Sequence, residues 1–244
     1  MTLAASEHGR LVYRDLGVAV YDDLLPPGAF EAIVRFVQGA LCEPAEVRLP
    51  AGDGRAYVGW REGDGRPIRS RTWRAARRPF GNALDPLAVA VSARVTDNAS
   101  LFGEAFVAWN DVSYRVSRYR AGERLSWHDD GVGAGAYTYY AHPKWSPTWG
   151  GELLVADVPA RESLGPEAAE GALCNPDAWV NHLHVRGRGI VIHAAPNRLV
   201  LIRAGTEHAI GRIRGDVGER ARCSVNGFVK RRDPAAGLLI LGGG

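Results

Sequence analysis

The sequence predicts a mainly β protein with flanking helices, built as a sandwich or barrel with helices packed on its outside. Three observations lead there. Helical periodicity is confined to residues before about 100, whereas from Phe106 onward the apolar runs are short and split by Gly, Pro and Asn. Such runs with frequent turn signals fit antiparallel β structure, not alternating βαβ units. No linker separates the helical part from the β part, so the helices belong on the surface of one shared core. The expected organisation is therefore a single domain over residues 1–244. Residues 1–105 hold helices, strands and an Arg-rich segment, 106–230 the β core, and 231–244 a Gly-rich tail.

Taken in order, the first helix starts at Pro26-Pro27, where a missing N–H costs nothing. Phe30, Ile33, Val34, Val37 and Leu41 recur behind it at helical spacing. A second helix is expected over about Asp85–Val95, with Leu87, Val89, Val91 and Val95 among alanines. Between the two lies Asp53–Arg78, where eight arginines face only Asp53, Glu62 and Asp64. Glycines 52, 54, 59, 63 and 65 with Pro67 argue against regular structure over its first half, and loops of this length tend to be lids or binding loops. The segment reads either as a solvated basic loop or as a lid over the site. As a lid, its Arg71, Arg74, Trp73 and Trp60 would bind a substrate with an anionic group, a carboxylate or phosphate. The expected strands are Phe106–Trp109, Tyr114–Arg120, Leu125–Asp129, Ala136–Ala141, Glu152–Val155, Gly189–Ala194, Arg198–Ile202, His208–Ile213 and Arg222–Val229.

Composition removes several alternatives. With 244 residues, 46% hydrophobic and 23% charged, the chain can bury a sizeable core, and its 21 aromatic residues exclude global disorder. No run of about 18 uncharged apolar residues occurs, so no transmembrane helix is expected. The N-terminus lacks the basic and apolar segments of a signal peptide. Three distant cysteines (Cys42, Cys174, Cys223) form no disulfide framework, which fits a cytoplasmic location. A net charge of +3 does not by itself imply nucleic acid, and no nucleic-acid-binding motif supports such a partner.

Chemistry concentrates in the β half. In Ser126-Trp127-His128-Asp129-Asp130-Gly131, residues two apart on a strand share a face, so His128 and Asp130 point together. His208 lies 80 residues after His128 on a later strand. Two histidines and a carboxylate make the facial triad of non-haem iron(II) sites, which keeps coordination positions open. On the last strand Arg220, Arg222, Ser224 and Asn226 share one face, where a guanidinium beside a hydroxyl suits a carboxylate.

These residues resemble the 2-oxoglutarate/Fe(II)-dependent oxygenases, in particular the prolyl-4-hydroxylase-like branch, over about Val107–Val229. Tyr119-Arg120-Ala121-Gly122 followed by His128-Asp129-Asp130 is similar to the family's Tyr-x-x-Gly…His-x-Asp. Tyr140-Ala141-His142-Pro143-Lys144-Trp145, then Trp149-Gly150-Gly151-Glu152-Leu153, is similar to its Tyr-Leu-Asn-x-x-Trp…Gly-Gly-Glu-Leu, with His142 in place of the Asn. Asn197-Arg198-Leu199-Val200 precedes His208 as the family's Asn-x-Leu-Val precedes its second histidine.

The resemblance implies a double-stranded β-helix (jelly-roll, cupin-like) core. It also implies iron held by His128, Asp130 and His208, with Arg222, Tyr140 and Tyr119 binding 2-oxoglutarate; Ser224, on the same strand face as Arg222, is expected to assist. Arg222 stands six residues before Phe228, as in the family, yet fourteen after His208, farther than usual. Arg220 therefore stays a rival for the carboxylate, and Asn226 a further candidate. The implied activity is hydroxylation of an unactivated C–H bond in a small amino-acid-like or natural-product substrate. Succinate and CO2 would be co-products, and ascorbate the reductant in vitro. Asp130 disfavours halogenation. A peptidyl, prolyl-type hydroxylase is the alternative, and a non-catalytic ligand-binding β-barrel the reading from another class. Nothing in the sequence fixes the oligomeric state.

Overall fold

The computed structural model describes residues 8–39, 43–49, 52–58, 71–74, 81–130, 133–157 and 188–231. The strands are β1 (Arg10–Asp15), β2 (Val18–Asp22), β3 (Glu43–Leu49), β4 (Gly52–Val58), β5 (Arg71–Arg74), β6 (Asp111–Tyr119), β7 (Leu125–His128), β8 (Gly135–Tyr140), β9 (Leu153–Asp157), β10 (Arg188–Ile192), β11 (Leu199–Arg203), β12 (His208–Ile210) and β13 (Arg222–Lys230). The helices are α1 (Pro27–Gly39), α2 (Asp85–Thr96) and the single turn α3 (Ala99–Phe102). All strand pairings are antiparallel. A large sheet runs in the order β1-β2-β11-β8-β13-β6-β4-β3, with β5 also paired to β6, and a small sheet runs β10-β9-β12-β7. Among the described residues, no helix is long and apolar enough to cross a membrane.

The large sheet is apolar on both faces, because each face covers something. Val112, Tyr114, Tyr139, Leu201 and Val225 pack against Ile33 and Val37 of α1 and Leu87, Val91 and Val95 of α2. The alternate residues of the same strands, among them Tyr119, Tyr140, Val200 and Ile202, join Leu153, Val155 and Ile210 of the small sheet. Two-sided burial explains why Leu199–Ile202 reads as an unbroken apolar run without alternation. At Gly227, the close pairing of β13 with β6 leaves no room for a side chain. A Cβ there would sit 1.8 Å from the Ser113 carbonyl oxygen.

Several expectations need correction. Phe106–Trp109 is not a strand; it is a turn closed by a single Ala105–Trp109 bridge, with Phe106 in the left-handed region at φ 66°. The paired strands β1 and β2 precede the first helix and extend the large sheet. Val89 is exposed, while Ala88 and Ser92 complete the buried face of α2. The Asp53–Arg78 segment is not one loop, since β4 and β5 lie along the free edge of β6, despite the glycines of β4. Register sets Arg71 opposite Tyr114, Trp73 opposite Val112 and Arg74 opposite Asp111; Trp60 lies outside the described residues.

Candidate active site

His128 ends β7 and His208 begins β12, and register places the two directly opposite each other in the small sheet. Their rings stand 4.2 Å apart between centroids. Asp130 follows the strand in the left-handed region, φ 47°, a conformation that Asp tolerates better than most residues. That turn brings its carboxylate back to 3.6 Å from His128 Nε2 and 3.3 Å from His208 Nε2. One ligand atom from each of the three lies within 4.8 Å of the others, a spacing one metal ion can bridge. His208 Nδ1–H donates to the Thr206 carbonyl at 2.8 Å. This bond fixes the tautomer, so that the Nε2 lone pair faces the centre.

The electrostatics of the group follow from burial opposed by charge. Burial pulls the His208 pKa down, but the Asp130 hydrogen bond and charge, then the Thr206 carbonyl and Glu207, leave it above the ordinary value. Burial pushes the Asp130 carboxyl up; the His208 hydrogen bond and the charges of His208, His128 and Arg115 more than offset this and hold it below the usual range. The raised His208 contributes stability that is full below about pH 6.5 and is lost as pH rises through its folded value. The lowered Asp130 contributes above about pH 4 and loses its contribution as pH falls. The pair therefore protects the protein most between those limits, with a proton on the nitrogen that would ligate a metal. We expect Mn(II) binding to expel that proton and to weaken as pH falls from 8 to 6. Calorimetry in two buffers of different ionisation enthalpy reads this directly. Binding without proton release at pH 6 would remove His208 from the ligand set.

On the large sheet, Arg222 is fully buried and its Nε, Nη1 and Nη2 have no hydrogen-bond partner among the described residues. Its guanidinium carbon lies 4.8 Å from the Tyr140 ring centroid and 5.3 Å from that of Tyr119. The Tyr140 hydroxyl is also buried and, among the described residues, without a partner. Ser224 stands opposite Tyr140 in register, one pleat further along β13 from Arg222. Gly151 makes room for this arginine: its φ is 73°, and a Cβ there would fall 2.8 Å from Arg222 Cδ. Arg220, expected on the same strand face, instead precedes β13. It is exposed and lies 5.1 Å over the Trp149 ring. Trp145 braces the Gly-Gly turn by donating from Nε1 to the Gly150 carbonyl at 2.8 Å. His142 is buried between the Cys223 and Ala194 carbonyls, and burial pushes its pKa down to about 4. It is a neutral brace. His193 is exposed, and His182 and His184 lie outside the described residues.

A cavity of about 260 Å³ opens between the sheets, lined by His128, Asp130 and His208 on one side and Tyr119, Ser224 and Asn226 on the other. It is also lined by Arg115, which the sequence reading passed over. The signal was present: Arg115 lies four residues before Tyr119 on one strand and so shares its face.

The sequence matches no family model and no curated protein. Solved structures do match. A prolyl-4-hydroxylase from Pseudomonas putida is 17% identical, with a TM-score of 0.55 over 88% of this chain and 93% of that one. A 2OG-Fe(II) oxygenase family oxidoreductase from Burkholderia pseudomallei is 16% identical, with a TM-score of 0.53 over 90% and 88%. A prolyl hydroxylase from Trichoplax adhaerens, solved with a hypoxia inducible factor peptide fragment, is 12% identical, with a TM-score of 0.52 over 93% and 88%. This chain therefore has the double-stranded β-helix fold of those structures, with two antiparallel sheets facing each other and helices on the outer face of the larger one.

Proposed function

We propose that this protein is a 2-oxoglutarate-dependent iron(II) dioxygenase that hydroxylates a small amino-acid-like or natural-product substrate. The observation that carries the reading is Arg222. A cation buried without any anion is costly, and this one stands beside an equally unpartnered tyrosine hydroxyl. Three N–H-bearing nitrogens and one O–H, in the sheet facing a His-Asp-His cluster, suit the distal carboxylate of 2-oxoglutarate. The donor set of His128, Asp130 and His208 suits iron(II) for the same chemical reason: two imidazoles and one carboxylate leave open positions. Bound iron supplies the activation of O2, by which 2-oxoglutarate becomes succinate and CO2 and a substrate C–H becomes C–OH.

The chain's own residues do the positioning. His128, Asp130 and His208 hold the metal, with Thr206 orienting His208. Arg222 and Tyr140 anchor the co-substrate, assisted by Tyr119 and Ser224. Exposure leaves Arg220 outside the anchor. Cys223 is a buried free thiol, and we place the enzyme in the reducing cytoplasm. A peptidyl substrate is the second reading, favoured by the likeness in fold to the two prolyl hydroxylases.

The test uses purified protein with Fe(II), 2-oxoglutarate and ascorbate. Slow succinate release is expected without substrate, stimulated by a small-molecule library and not by proline-rich peptides. Metal-dependent 2-oxoglutarate binding, read with Mn(II) in place of iron, is expected whatever the substrate. Its absence would return the protein to the class of non-catalytic ligand binders.

A further inference from the structure

The face of the large sheet that borders the cavity is organised in rows, of which Tyr119, Ser224 and the whole third row line the cavity itself. Register sets Tyr119 opposite Arg222, and two residues further along the strands it aligns Ser117, Ser224 and Tyr140. Two residues beyond that, Arg115, Asn226 and Thr138 form a third row, and all three line the cavity. Four residues of extended strand separate the third row from the first, about 13 Å along the sheet. The first row belongs to the buried end, with Arg222 fully enclosed, whereas Arg115 is half-buried.

The third row is rich in donors. Ser117 Oγ donates to Asn226 Oδ1 at 2.8 Å, which orients the amide and leaves its NH2 unused. Among the described residues, neither that NH2 nor the Arg115 guanidinium has a hydrogen-bond or ion-pair partner. The other ionisable groups that line the cavity near them are His128, Asp130 and His208, all committed to the metal, and the Tyr119 phenol. Further along the same face, Phe228 and Ala136 supply an apolar wall. A guanidinium beside a carboxamide NH2 matches the two oxygens of a carboxylate, and the apolar wall matches the body of a small molecule.

We propose that Arg115 and Asn226 form a carboxylate-binding subsite, distinct from the Arg222 anchor, and that the compound oxidised carries a free carboxylate at one end. This rests on the reading of the site as a 2-oxoglutarate oxygenase. It moves the recognition of an anionic substrate from the Asp53–Arg78 segment to the sheet itself.

The test uses protein loaded with Mn(II) and 2-oxoglutarate, with benzoate and its uncharged analogue benzamide as probes. Paramagnetic broadening of each compound's proton resonances reports binding near the metal. Benzoate should be broadened and benzamide at least about tenfold less so, the scale of a lost charge-assisted hydrogen bond. Arg115→Gln should weaken benzoate by about tenfold or more. Asn226→Leu, which keeps the charge, should weaken it by a smaller factor. In Arg115→Gln the broadening of 2-oxoglutarate itself should change less than twofold. Equal response to benzoate and benzamide, or no response to benzoate, would overturn the subsite. So would an Arg115→Gln protein that loses 2-oxoglutarate as strongly as benzoate, since Arg115 would then belong to the co-substrate pocket. Wild-type protein that fails to bind 2-oxoglutarate with Mn(II) would overturn the oxygenase reading first, and this proposal with it.

Discussion

Asp130→Gly is expected to abolish succinate formation while leaving the fold intact. The choice of glycine follows from the backbone. Asp130 sits at φ 47°, a conformation that costs a residue with a Cβ and costs glycine almost nothing. The variant therefore removes the carboxylate without straining the turn, and loss of activity reports loss of a ligand. Removing partners that merely orient a metal ligand typically costs about 10–100-fold in affinity or activity, so losing the ligand itself should cost more than that. His128→Ala and His208→Ala should behave alike in activity. They should differ in stability, because His208 is nearly enclosed at the start of a three-residue strand and His128 is less so. Metal content of the purified variants and their circular dichroism separate the two effects. Activity retained in His208→Ala would show that the third ligand lies elsewhere, with His193 and the undescribed His182 and His184 next in line.

That His128, Asp130 and His208 come together was legible because their spacing is local or strand-borne. His128 and Asp130 are two apart, and His208 opens a strand that register must bring alongside. Arg222 and Arg220 read as two candidates for one role, and the fold places them differently, Arg222 enclosed and Arg220 exposed. A 3-10 turn at Gly215–Val217 lies between β12 and β13, within the long interval from His208 to Arg222. Arg220 falls before the strand begins, where alternation no longer governs which way it points. Other features were hidden for physical reasons. β1 is an edge strand, mostly exposed, and β2 is buried at four of five positions, so neither alternates. The sequence of β4, Gly-Asp-Gly-Arg-Ala-Tyr-Val, has poor intrinsic strand preference and becomes a strand because β3 pairs it along its whole length and the edge of β6 takes Tyr57 and Val58. Phe106–Trp109 shows the converse: aromatic and β-branched residues that form a turn.

Arg222→Met is expected to make the protein more stable and unable to use 2-oxoglutarate. Both results come from the same buried charge. The guanidinium is fully enclosed, and among the described residues its three nitrogens have no hydrogen-bond partner, so that the faces of Tyr119 and Tyr140 are what offsets its desolvation. Such ring contacts are worth about 2 kcal/mol when desolvated, whereas the effective penalty for a buried ion is several kcal/mol. Replacing buried ionic groups by apolar side chains of similar size is often neutral or stabilising, by about 1–4 kcal/mol. In a chain of this length that corresponds to a melting temperature higher by roughly 2–15 °C. Methionine suits the position because it is unbranched and follows the channel left open by Gly151. Binding should move the opposite way. Wild-type protein should gain stability when 2-oxoglutarate is added with Mn(II), because the ligand supplies the missing anion. The variant should show no such gain, and its succinate formation should not recover at high co-substrate concentration. Arg222→Lys should lie between the two, since it keeps the charge and loses the planar fork. A variant that melts lower than wild type while still responding to 2-oxoglutarate would mean that Arg222 is a structural cation and that the anchor lies elsewhere. Arg115 would then be the first place to look.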